Sequence, residues 1–124
     1  MAEYTWYEAR DWLTEHQHEH CFAVNCFESM ERAMCEVLYL YGSGAVEVWV
    51  GGDCIDRPYR DLGDGAFVGP YADMLAVVLP SELRARDQVW RQIANLPWGE
   101  DRDVTFEWDD PAFEQRDVVY VWWD

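Results

Sequence analysis

Twenty-five acidic residues stand against nine basic ones in this 124-residue chain, a formal net charge of −16. A chain so charged folds only if its apolar content outweighs its own repulsion. The content is there: 50% of the residues are hydrophobic, with eight Trp and seven Tyr. An acidic disordered tail lacks such core material and is excluded. The length implies one domain, residues 1–124. Its folded surface, about 6,900 Å² by area–mass scaling, carries roughly one net negative charge per 430 Å². Duplex DNA holds one charge per ~1.7 Å of axis, so the net charge matches about 27 Å of duplex. The expected diameter of the domain, about 35 Å, is of the same order. Such a surface repels nucleic acid and anionic membrane and attracts basic sites, so neither direct nucleic-acid binding nor membrane binding is expected.

The pattern of apolar residues predicts an α+β fold, with about five mostly antiparallel strands packed with about three helices. Thr5-Trp6-Tyr7-Glu8 reads as a capping box. It opens a helix to about His18 with Trp6, Ala9 and Leu13 inward. Cys21 to Cys26 alternates as a short strand. Ser29 caps a second helix through Tyr41 that turns Met30, Met34, Val37, Leu38 and Tyr41 inward and stops at Gly42. Ala45 to Val50 is a strand, and residues 51–70 are loop around an extended piece at Ala66 to Val68. Met74 to Leu79 is continuously apolar and reads as a central strand. Ser81-Glu82-Leu83 opens a third helix to about Asn95, burying Leu83, Val89 or Trp90, Ile93 and Leu96, closed by Pro97 and Gly99. Val104 to Trp108 and Val118 to Trp123 pair as an antiparallel hairpin.

The charge sits at the two ends. Residues 1–41 carry a net −6, residues 42–99 a net −3, and residues 100–124 a net −7. Every basic residue is Arg. Arg84, Arg86 and Arg91 make the third helix the only locally basic element, which then faces an acidic element of its own chain or of a second copy in a homodimer. Glu8, Asp11, Glu15 and Glu19 recur at helical spacing, ~4.5–6 Å apart along an axis rising 1.5 Å per residue. Arginine and lysine side chains of a partner would engage several at once. Glu107, Asp109, Asp110 and Glu114 repeat the acidity beside Trp108, with Trp122 and Trp123 nearby; acids around an exposed Trp suit an Arg-rich partner.

Catalytic motifs are absent, and an enzyme is not expected. The three histidines fall within His16-Gln17-His18-Glu19-His20, followed by Cys21. His16 and His20 would share a helical face, and Cys21 or Glu19 would complete a zinc-like set. Without a second ligand pair, the reading favoured is histidines interacting with the dipole at a helix end, and no cofactor or metal. Asp53, Asp56, Asp61 and Asp64 lack the spacing of a calcium loop and read as solvated acids. With no signal-like start and no apolar run of ~20 residues, a cytoplasmic protein with reduced cysteines is expected, in the host cell cytoplasm if phage-encoded.

In its charge density, small size and lack of motifs, the chain resembles the DNA-mimic inhibitors of phages and mobile elements, the anti-CRISPR and anti-restriction proteins. The resemblance is compositional and spans the whole chain. It implies a non-enzymatic inhibitor that blocks the basic nucleic-acid-binding site of a host defence nuclease or CRISPR surveillance complex. The alternatives are an acidic adaptor or structural subunit that binds a basic protein, and a small metal-binding protein using His16, His18, His20 and Cys21.

Overall fold

The computed structural model describes residues 5–19, 21–23, 26–97 and 102–123. At its centre lies the apolar run expected to be a core strand. This strand, β5 (Met74–Val78), pairs antiparallel with β2 (Glu47–Gly51) on one side and β7 (Arg116–Trp122) on the other. A two-residue strand, β1 (Tyr7–Glu8), borders β2, and β6 (Asp103–Asp110) borders β7, giving the order β1-β2-β5-β7-β6. Three helices, α1 (Ala9–Glu15), α2 (Met30–Gly42) and α3 (Leu83–Ala94), complete an α+β domain with an antiparallel five-stranded sheet.

Register decides which side chains meet the helices. Val48 lies opposite Val77, which lies opposite Val119; Val50, Leu75 and Val121 form the next row. All six are buried on the face that also takes Trp12 and Leu13 of α1, Val37 and Leu40 of α2, and Val89 and Ile93 of α3. The alternate residues point the other way, as the two-residue period of a strand requires. There Ala76, Val78 and Val118 bury with Phe113 under Trp6, Trp49 and Tyr120.

Trp6 therefore corrects the expected first helix. It packs against Phe113 and Tyr120, each at 5.7 Å between ring centres, on the sheet face away from α1. A Cβ on Gly51 would come within 2.7 Å of the Trp6 ring, so this approach needs glycine. Pairing with β2 and burial of an aromatic ring hold Trp6 to Glu8 extended, outweighing the one turn of helix a Thr5 cap would add. The actual cap is Glu8, whose carboxylate accepts the Asp11 N–H at 2.9 Å. The helix ends at Glu15, and residues 16–19 form turns.

Of the strand expected over Cys21 to Cys26, residues 24 and 25 lie outside the described residues, and the described ones belong to no named strand. Phe22 makes one bridge to Ala72, and the Cys26 and Phe27 N–H groups both turn back to the Ala23 carbonyl. In α2 the Ser29 cap holds, accepting the Arg32 N–H at 3.1 Å, but Leu38 is exposed. Its place is taken by Ala33, Val37 and Leu40, which follow Met30 at steps of three and four. In α3 the cap is Glu82, and Leu83, expected to be buried, is 79% exposed. Arg102 Nη1 donates to the Leu96 carbonyl at 3.1 Å beyond the helix end; Gly99 lies outside the described residues. The expected loop contains a separate hairpin, β3 (Arg60–Gly63) and β4 (Ala66–Val68), turned by Gly63, Asp64 and Gly65. All four cysteines are free thiols. Among the described residues, no helix is long and apolar enough to cross a membrane.

Candidate functional site

The four acids read as one helical stripe have separate positions. Glu8 is a half-buried cap: it also accepts the Tyr41 hydroxyl at 2.6 Å and lies 3.4 Å from Arg10 Nε. Burial opposes its charge, but the Tyr41 hydroxyl, the Asp11 amide and Arg10 outweigh this and hold its carboxyl below the usual range. Burial and the same carboxylate push Tyr41 up to about 12. Asp11 and Glu15 are exposed and in no ion pair among the described residues. Glu19 lies beyond the helix, bound to His16. The helix is one turn too short to align all four.

The C-terminal set divides in the same way. Asp110 is buried: Oδ2 accepts the Tyr120 hydroxyl, and Oδ1 accepts the Ala112 N–H at 2.9 Å, capping the short 3-10 turn Pro111–Phe113. That is a structural acid rather than a surface one. Glu107, Asp109 and Glu114 are exposed and, among the described residues, in no ion pair. Trp108, which lies between Glu107 and Asp109 in the chain, is 70% exposed. Its ring meets Phe106 edge-on at 4.5 Å, and Phe106 stacks on Trp90 of α3 at 5.8 Å. Trp90 is one of the two alternative residues, with Val89, that the third helix is expected to bury; Phe106 is not singled out by the sequence, although Val104, Phe106 and Trp108 alternate as one face of a strand. Trp122 is partly exposed and donates from Nε1 to Asp73 at 3.3 Å. Trp123 is buried beside Phe22 and Phe27, its Nε1 donating to the Pro97 carbonyl at 3.0 Å, so it is no surface anchor.

The arginines explain which acids remain free. Arg86 of α3 pairs with Asp117 of β7 at 2.9 Å, so the basic helix does face an acidic element of its own chain. The Asp109 amide, and then Arg86, hold the Asp117 carboxyl below its ordinary value. Arg116 pairs with Glu47 at 2.8 Å, and Trp49 Nε1 donates to the same oxygen at 3.0 Å. Arg32 pairs with buried Glu36, which also accepts from Gln92 at 3.1 Å and so joins α2 to α3. Arg91 pairs with Asp87. In the loop, Asp56 accepts the Tyr7 hydroxyl and Asp61 the Gly63 N–H.

The two exposed acidic groups are not brought together. Asp11 and Glu15 lie on α1, which packs beside β1 and β2, while Glu107 and Asp109 lie on β6 at the other end of the sheet order. Four strand spacings of ~4.8 Å put those edges roughly 19 Å apart.

A third feature lies where α1 ends. His16 Nδ1 is 2.8 Å from Glu19 Oε2, and Cys21 Sγ is 3.8 Å from that same oxygen. The His16 ring packs 4.4 Å from Trp12. Burial, and then the Glu19 charge, push the Cys21 thiol up to about 12. His18 is exposed, and His20 lies outside the described residues. His16 and Cys21, two members of the zinc-like set that the sequence does not favour, lie close together, with Glu19 between them. Comparison with protein-family models, curated proteins and solved structures finds no match for this chain.

Proposed function

We propose that this chain is an acidic, non-enzymatic inhibitor that occupies the basic nucleic-acid-binding site of a host defence nuclease or CRISPR surveillance complex. One observation carries the reading: Glu107, Asp109 and Glu114 stand exposed and, among the described residues, in no ion pair, on the same hairpin as Trp108, which is itself 70% exposed. Charge supplies steering and excludes nucleic acid from the same groove; the aromatic ring supplies desolvated contact area and a face for guanidinium groups. Asp11 and Glu15 form a second, separate arm. Glu8 and Asp110 leave the partner-binding set, because both carboxylates are used inside the fold.

The edge position of β6 favours a second reading, an adaptor that binds a basic protein by strand addition without displacing nucleic acid. Titrating the protein into a complex of a purified defence nuclease with labelled DNA separates the two. Displacement of the DNA supports inhibition by mimicry, whereas a ternary complex supports the adaptor. Glu107→Arg with Glu114→Arg is expected to abolish displacement.

A further inference from the structure

We propose that His16, Glu19 and Cys21 form a binding site for a single zinc-like transition-metal ion at the end of α1. The three side chains offer nitrogen, oxygen and sulfur atoms that all lie within 4.8 Å of one another. In a tetrahedral zinc site, bond lengths of ~2.0–2.3 Å place neighbouring ligand atoms about 3.3–3.6 Å apart. The Cys21–Glu19 separation of 3.8 Å needs only a small closure, and the His16–Glu19 separation of 2.8 Å a small opening. An ion seated there replaces the His16–Glu19 hydrogen bond with coordination to both groups.

The arrangement is held by ring packing and by backbone hydrogen bonds. Trp12 packs on the His16 ring, the Glu19 N–H donates to the His16 carbonyl at 2.9 Å, and the Cys21 carbonyl accepts the Ala72 N–H at 2.9 Å. Ligands fixed by neighbouring packing and backbone bonds make a preorganised site. Partial exposure of His16 and Glu19 leaves room for water as a fourth ligand. A neutral imidazole, a carboxylate and a thiolate balance a divalent charge, with the thiol proton passing to buffer. The mixed donor set suits zinc or cobalt over magnesium or calcium. Without an ion, Glu19 faces a sulfur that is a weak donor.

The test uses the full chain, stripped with chelator and titrated with Zn²⁺ by calorimetry and with Co²⁺ as a spectroscopic probe. One equivalent is expected to bind, Zn²⁺ is expected to raise the melting temperature, and Co²⁺ to give a thiolate-to-metal charge-transfer band. Cys21→Ser should remove the band, and His16→Gln and Glu19→Gln should each weaken binding by at least about tenfold. His18→Gln should change nothing. If Cys21→Ser fails to fold, the His16 and Glu19 variants, checked by circular dichroism, decide the question. Absence of a cobalt–thiolate band in the wild type, its persistence in folded Cys21→Ser, or unchanged affinity in both other variants would overturn the site.

Discussion

The Tyr120 hydroxyl donates to Asp110, taking one carboxylate of the acidic hairpin off the surface and locking it to the strand beside it. Asp110 also caps the turn through the Ala112 N–H. Burial and the Asp110 carboxylate together raise the Tyr120 pKa, since both disfavour the phenolate. Asp110→Ala leaves a half-buried hydroxyl and a backbone N–H without their acceptor. It should cost about 1–3 kcal/mol in urea unfolding. Asp109→Asn, one residue away and exposed, should stay within about 0.5 kcal/mol. Equal effects at the two positions would contradict this division of the acids.

Glu47 gives a pH-dependent prediction. The Arg116 hydrogen bond holds its carboxyl below the ordinary range against the opposing effect of burial. A group depressed in the folded state stabilises the fold above its unfolded pKa, and that stabilisation is lost as pH falls through the folded pKa. Glu47→Gln should therefore cost about 1 kcal/mol at neutral pH. The difference from wild type at neutral pH should shrink in acid, as pH falls below the ordinary glutamate value of about 4.3. Urea melts at both pH values measure this; a gap that widens in acid would have the wrong sign.

Salt should stabilise the protein. Among the described residues five arginines are engaged with carboxylates, while the net charge of the chain remains −16, so repulsion among acids dominates the long-range field. Screening shortens from ~10 Å at 0.1 M to ~3 Å at 1 M. Melting temperature is expected to rise by roughly 4 °C for each kcal/mol of repulsion relieved. A fall on adding sodium chloride would show that the internal pairs outweigh the repulsion.

What was legible in the sequence follows from burial on one or both faces. The run Met74 to Leu79 places β5 at the centre because a strand covered on both faces is continuously apolar. Ser29 marks its helix through a local cap. Local signals failed where tertiary packing decides. Thr5 and Glu8 have capping-box spacing, yet Trp6 finds more burial against Phe113 and Tyr120 than a helical turn provides. Leu83 sits at an apolar-looking helix start but has nothing above it. The acids of the candidate surface were all visible as residues. Their division into structural Glu8 and Asp110 and exposed Glu107, Asp109 and Glu114 was not, because it depends on Tyr41 and Tyr120, which lie 33 and 10 residues away.

In the proposed function, the exposed acids of the β6–β7 hairpin compete with nucleic acid for a basic groove. The most direct measurement is displacement of labelled DNA from a purified defence nuclease or CRISPR complex by the wild-type chain, the Glu107→Arg/Glu114→Arg variant and the Asp11→Arg/Glu15→Arg variant. Binding that displaces DNA competitively, weakens steeply with salt and is abolished by the hairpin variant is the predicted result. A ternary complex with DNA still bound, or undiminished displacement by the folded hairpin variant, would contradict it.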